Sequence, residues 1–404
     1  MKKNNMILYV ASCWLVLLYA STEAFADVND LIAESEAPSI RLGGVKAYPG
    51  LAIIEKNDTN IHLSDISKVS STVTVLSPSV LFQQKQDANT YALSYNLDAG
   101  YFAQSATDNY VDQDLLGVTD FSLSTRAGLR FVPEYKLGHD PVGSTYGANI
   151  TPNTWQNSGI AGQFNFGSED APAGFAIDLA YQDREYQNNQ AVTSAYNKII
   201  NNAGGTFNYR LAPKLTSFFQ VSDTSFVYKD SATASNLNSS EQRYMLGVTW
   251  DKTVQTKGSF KIGDLQKQFA SSSRPTSNLI SWEGSVRWSP REFIRVDLDT
   301  SKTPLESTLT TSSFELITDN SVTIGYDLSS LTSLQAVIGN MVEEFIAANP
   351  YRKDTSNRYS IKADYKIESW LSGGVEYTNS IKTSTDPNVG YHRDVIMISL
   401  RTQL

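Results

Sequence analysis

Apolar and polar residues alternate with period two along almost the whole chain. Tyr91, Leu93, Tyr95, Leu97, Ala99 and Tyr101 share one face, with Thr90, Ser94, Asn96 and Asp98 on the other. Phe175, Ile177, Leu179 and Tyr181 alternate with Asp178 and Gln182. Tyr244, Leu246, Val248 and Trp250 alternate with Arg243, Gly247, Thr249 and Asp251. The row from Phe314 to Leu328 and the row from Tyr359 to Ile367 repeat the pattern. Period two is the spacing of a strand with one buried face. One such run is a weak signal, but its repetition over the chain predicts strands throughout.

The connections predict how the strands are joined. Short ones fall at Ala212-Pro213-Lys214, Ser289-Pro290-Arg291 and Ser329-Ser330-Leu331. Longer polar ones fall at 187–195, 230–239, 304–311, 346–354 and 384–390. Short and long alternate, as in an up-and-down barrel with tight turns at one rim and larger loops at the other. The stretch 113–138 decides the count. Read as one strand it gives seventeen; split at Ser124-Thr125-Arg126 into 113–123 and 127–138 it gives eighteen. Single-chain bacterial barrels have even strand numbers, so eighteen is the expectation, with sixteen the other even count. The fold class is therefore all-β, a transmembrane antiparallel up-and-down β-barrel. In hydrocarbon only a closed barrel satisfies every backbone group of a β chain. A soluble sandwich is the competing architecture, and charge recurring opposite so many apolar rows disfavours it.

The N-terminus adds an address. Lys2 and Lys3 precede an apolar run from Met6 to Tyr19, and Ala24-Phe25-Ala26 gives the small-x-small pattern read by signal peptidase. The run is shorter than the roughly 20 residues of a spanning helix. Val10-Ala11-Ser12-Cys13 matches a lipoprotein box only weakly, because the apolar run continues past it. The expected organisation is a signal peptide at 1–26, a flexible periplasmic lead at 27–42 and the barrel at 43–404. Cleavage removes Cys13, the sole cysteine, so the mature chain can hold no disulfide and no thiolate site. Of 33 basic and 42 acidic residues, losing Lys2, Lys3 and Glu23 leaves 31 and 41, a net charge of −10. That excess of acid argues against nucleic acid as a partner. The expected location is the outer membrane of a Gram-negative cell, with its lipid and the barrel-assembly machinery as partners.

The apolar face should meet lipid and be flanked by aromatics. Tyr101, Tyr181, Tyr186, Tyr228, Trp250, Trp282, Trp288, Tyr351, Tyr365 and Tyr377 are placed as such a girdle. Ile396, Ile398, Leu400 and Leu404 alternate to the last residue, as in a barrel-assembly signal, although the chain ends in Leu rather than Phe. The opposite face gives the lumen. Its candidate lining is Arg126, Arg130, Asp178, Arg184, Arg210, Arg243, Asp251, Glu283, Arg287, Asp297, Arg358, Lys362 and Asp364. Rings of one sign select ions; this mixture predicts no strong selection by sign. Pairing of these charges across strands, stiffening the wall, is the structural alternative to a transport role.

Several segments resemble the exopolysaccharide- and capsule-cluster family of outer-membrane β-barrels, the β-barrel porins of the VpsM-like kind. The similarity is carried by Ala47-Tyr48-Pro49-Gly50-Leu51, Asn57-Asp58-Thr59-Asn60 and Leu76-Ser77-Pro78-Ser79-Val80. It continues through Asp108-Asn109-Tyr110-Val111-Asp112, Gly138-His139-Asp140 and Asp183 to Asn189. Gln113 stands where that family often has His. The resemblance implies export or assembly of a polysaccharide through the barrel, with periplasmic polysaccharide-export proteins as partners. The alternatives are a general diffusion porin, its pore narrowed by an inward loop for which 138–157 is the candidate, and a non-conducting surface receptor. No enzyme, cofactor or metal is expected. His62, His139 and His392 fall in three separate hairpins and read as solvated loop residues. Asp58, Asp108, Asp112, Asp114 and Asp140 read as loop carboxylates rather than a Ca²⁺ cage.

Overall fold

The computed structural model describes residues 28–29, 31–33, 38–144, 151–168, 171–251, 255–307, 309 and 311–403. The expected signal peptide lies outside them. Among the described residues no helix is long and apolar enough to cross a membrane. The chain crosses with strands instead.

A short strand, Ile40–Leu42 (β1), leads into Val45–Asp58 (β2), Ser71–Gln86 (β3), Asn89–Phe102 (β4) and Tyr110–Ser124 (β5). Ala127–Asp140 (β6), Asn153–Phe166 (β7), Ala173–Tyr186 (β8), Lys198–Ala212 (β9) and Leu215–Tyr228 (β10) follow. Then come Ser239–Trp250 (β11), Thr256–Phe269 (β12), Ser277–Arg291 (β13), Ile294–Leu305 (β14) and Phe314–Asp327 (β15). Thr332–Ile346 (β16), Arg352–Glu368 (β17), Leu371–Ser384 (β18) and Tyr391–Gln403 (β19) complete the chain. β2 to β19 are the eighteen barrel strands. Each pairs antiparallel with the next, and β19 closes on β2 from Val395↔Asp58 to Gln403↔Gly50. Where β19 ends, β1 takes over the same edge of β2, Ile40 opposite Ala47. Its tight turn runs through Gly43, whose φ of 64° is open to glycine without strain. The seam is thus paired to its rim, leaving no open edge there.

The split that fixed the count is present: β5 and β6 are separated only by Thr125 and Arg126. The tight turn expected at Ser289-Pro290-Arg291 lies further on, at Glu292-Phe293, and the expected turn residues belong to β13. The register slips between Trp288 and Arg291, so Pro290 sits in a bulge at the strand end, where a missing N–H costs no ladder bond.

The apolar rows face outward. Leu246, Ile262, Ile280, Ile361 and Ile398 are large apolar side chains left exposed, as lipid-facing side chains are when no lipid surrounds them. Strands of 12 to 17 residues exceed the roughly ten a tilted span needs. On β8 the outward row is apolar from Phe175 to Tyr181 and then charged at Asp183 and Glu185, which both hold Lys229. The strands therefore stand proud of the hydrocarbon at the outer end. Of the expected girdle, Tyr101, Tyr181, Trp288, Tyr365 and Tyr377 are exposed. Tyr186 and Tyr228 are not girdle residues: both are buried, because each continues the inward row of its strand.

Candidate functional site

Inward-facing charges pair mainly with neighbours on the same or an adjacent strand. Arg130 grips Asp120 through two nitrogens, at 2.6 and 2.8 Å. Asp178 is buried and accepts from Gln163 at 2.6 Å. Arg287 meets Asp297 at 2.5 Å, and Arg295 meets the other oxygen of Asp297 at 2.9 Å. Lys362 meets Asp364 at 2.9 Å, and Arg401 joins them at 3.2 Å. Arg358 feels Glu376 on the adjacent β18 and Asp319 on β15, two strands away. Arg210 lies on the same inward parity near the tight-turn end of β9. Cross-strand pairs of this kind contribute about 0.2–1 kcal/mol each, so the balanced lining stiffens the wall. Two expected lining residues are elsewhere. Arg126 is exposed in the tight turn between β5 and β6 and Asp251 is exposed just beyond β11, because β5 ends at Ser124 and β11 at Trp250 and the alternation ends with them.

Two clusters form near the outer rim. In the first, Arg184 stacks its guanidinium over Trp155 at 4.1 Å, with Asp140 at 3.5 Å. Asp140 also accepts from the Trp155 indole and the Tyr186 hydroxyl, both at 3.0 Å. The histidines are less solvated than their sequence positions imply. His139 is buried on β6, stacked on Tyr110 at 4.0 Å and bonded to Asp112 at 2.9 Å. His62 meets Asp108 at 2.9 Å, and Ser105 donates to the same carboxylate. His392 stays exposed beside Asn379. Asp58 is held by Arg393, and Asp114 lies near Lys136. Among the described residues no three such groups gather as metal ligands.

The second cluster centres on Glu306, which follows β14. It accepts from Lys267 of β12 at 2.5 Å and from the Tyr228 hydroxyl of β10 at 2.6 Å. Strands lie about 4.8 Å apart, so β10 and β14 are about 19 Å apart along the wall. Tyrosine and glutamate side chains cannot span that along the sheet, so the chain turns inward at Glu306, over the lumen side of β10 to β14. Arg274 donates to the Ser312 carbonyl at 2.7 Å and to Ser313 at 3.0 Å, fixing its far end. Lys267 is fully buried, with Glu241 at 3.7 Å and the Phe226 ring at 4.3 Å. Arg243 extends the network to Glu241 at 2.6 Å and Glu283 at 3.3 Å, and Lys261 meets Glu283 at 2.8 Å.

This inward connection is not the one expected. Residues 138–140 and 153–157 are strand, and Gly143 sits against the His62 carbonyl at the rim. Residues 145–150 lie outside the described residues. Glu306 and Lys267 escaped sequence reasoning because 304–311 reads as an ordinary polar loop. The one available signal was a lysine, Lys267, on the inward parity of β12.

Burial alone would raise the Glu306 carboxyl. Lys267 and Lys198, with hydrogen bonds from Lys267 and Tyr228, outweigh it and hold the carboxyl below the ordinary glutamate range. A depressed folded value stabilises the docked loop at pH above the ordinary glutamate range, and that stabilisation is lost as pH falls through the depressed value. Single-channel recordings should therefore show steady current from neutral pH down to that range and flickering or larger openings only below it. Flickering that begins near neutrality would contradict the assignment.

A family model described as Putative beta-barrel porin 2 matches residues 35–404. In fold the chain is similar to Pseudomonas aeruginosa OccK2 (OpdF), solved in complex with glucuronate. The TM-score is 0.52 at 12% identity, over 89% of this chain and 98% of that one. It is also similar to Pseudomonas aeruginosa OpdK with vanillate, with TM-score 0.50 and 11% identity over 89% and 98%. At such identities the likeness is one of fold. No curated protein matches in sequence.

Proposed function

Because the chain belongs to the Putative beta-barrel porin 2 family, and is thus a porin-like β-barrel of the outer membrane, we propose that it is a diffusion channel for small polar solutes. The inward connection anchored by Glu306 carries this reading. A polymer threading the barrel needs an unobstructed lumen, whereas buried, salt-bridged chain narrows it beside β10 to β14. Around it Lys198, Lys267, Arg243, Lys261 and Arg274 face Glu241, Glu283, Glu306 and Glu315. The near balance of sign favours neutral or weakly charged solutes over strong ion selection. Polysaccharide export has only the sequence resemblance behind it; the family model and the fold neighbours favour the porin alternative.

Purified, folded protein in planar bilayers should give discrete ohmic steps with weak cation–anion preference. Proteoliposomes should swell in glucose or glucuronate and not in dextran. Folded protein that gives no steps would sink the channel and favour the receptor. Loss of surface polysaccharide in a deletion strain with unchanged monosaccharide uptake would restore the export reading.

A further inference from the structure

The lumen is also occupied at the other end. Val28, at 0% exposure, belongs to one buried cluster with Tyr48, Leu81, Ala92, Val118, Val132 and Ala161, one residue from each of β2 to β7. Leu31 and Ile32 pack against the same patch. Gln83 of β3 donates to the carbonyls of Leu31 and Ala33, and Arg130 donates to the Asn29 side chain at 2.9 Å. These wall residues lie in the tight-turn halves of their strands, the periplasmic half of such a barrel. Of the stretch expected to be a flexible periplasmic lead, residues 28–29 and 31–33 are therefore docked inside the barrel, while Ile40–Leu42 pairs with β2.

An apolar patch on the inner wall of a water-filled barrel is unfavourable unless something covers it. Here the chain's own N-terminal segment covers it, and β1 tethers that segment to the rim through its pairing with β2. We propose that Val28, Asn29 and Leu31 to Ala33 belong to a resident strap that plugs the periplasmic mouth of the pore, held by the Val28 contact and undocked to admit solute. One helical turn is about 10 Å across with its side chains, and the buried cluster it joins draws on six of the eighteen strands. The Arg130 pair with Asp120 belongs to the same device, since it aims the guanidinium at Asn29. The inference rests on the channel reading for its consequence, but the docking can be tested without it.

The test uses the full-length protein, expressed with its leader, and the Val28→Cys variant. In the folded barrel the introduced thiol should resist a small methanethiosulfonate reagent, while the denatured variant labels fully. Val28→Asp should undock the strap and raise unitary conductance about two-fold, given an obstruction about 10 Å across. Val28→Cys with Val118→Cys, bridged by a bis-methanethiosulfonate that forms a disulfide to each thiol and releases two sulfinates, should hold conductance at the wild-type level or below, with reduction reversing any loss. Rapid labelling of the Val28→Cys thiol in conducting barrels, or unchanged conductance in Val28→Asp, would overturn the strap and leave the channel standing. Silence in wild type and Val28→Asp alike, with the Val28→Cys thiol protected, would instead overturn the channel reading and with it the plug's role.

Discussion

Replacing Glu306 with alanine is expected to release the outer constriction and give the largest change in pore behaviour of any single lumen substitution. Lys267 is fully buried and takes its shortest contact from Glu306. Removing one partner of a buried pair leaves the other charge uncompensated, at about 3–5 kcal/mol. Among the described residues the other anchors of this connection are Arg274 at Ser312 and Ser313, Ser312 and Ser313 at the Ile346 carbonyl, and Ser307 at Glu315. That loss should free the loop while the barrel, closed by eighteen ladders, stays intact. Unitary conductance should rise and the size limit in liposome swelling should move upward, with heat-modifiable gel mobility unchanged. Glu306→Gln should be intermediate, since it can still accept from Tyr228. Lys267→Met combined with Glu306→Leu removes both charges and should restore much of the docking, because a well-packed apolar pair can replace a buried ion pair. An alanine variant with wild-type conductance and size limit would remove Glu306 from the constriction.

The barrel was legible in the chain because its periodicity is local. Leu246 and Arg243 announce opposite faces within four residues, and the turn at Thr125-Arg126 followed from the need for an even count. The seam was less legible. That β1 would continue the edge beyond Gln403 depends on pairing between the two ends of the chain, which no local period encodes. The aromatics divided on a rule that was available. Tyr186 follows Asp178, Gln182 and Arg184 on the inward parity of β8, yet proximity to a strand end placed it with the girdle. The constriction was not legible. Glu306 meets Tyr228 and Lys267 at sequence separations of 78 and 39, and only closure of the wall brings them together. The docked N-terminus failed for a related reason: Val28, Leu31 and Ile32 carry helical spacing, but their partner is a patch assembled from six strands.

The assignment of faces on which both the lumen and the constriction depend has its own decisive prediction. Leu246 is 64% exposed in the outward row of β11, between Tyr244 and Val248. It pairs with Phe219 on β10 and Ile262 on β12, which also face outward. A lysine there must sit in hydrocarbon, at a cost of about 2–4 kcal/mol near the bilayer midplane. Thr206, on β9, shares the parity of Asn202 and Arg210 and pairs with Gln220 and Ala176. Lysine at that position meets water and polar groups, so it should fold with little loss. Leu246→Lys should therefore lower the urea midpoint of the barrel in lipid vesicles and reduce the heat-modifiable fraction in cells. Thr206→Lys should leave both near wild type while shifting ion preference toward anions. The outcome is sensitive to a single-residue error in register, because a slip by one exchanges the two faces along the whole strand. The reverse order would show that β9 to β12 are inverted and that Lys267 and Glu241 face lipid, and equal destabilisation would remove the support for the assigned faces; either leaves the constriction without a basis.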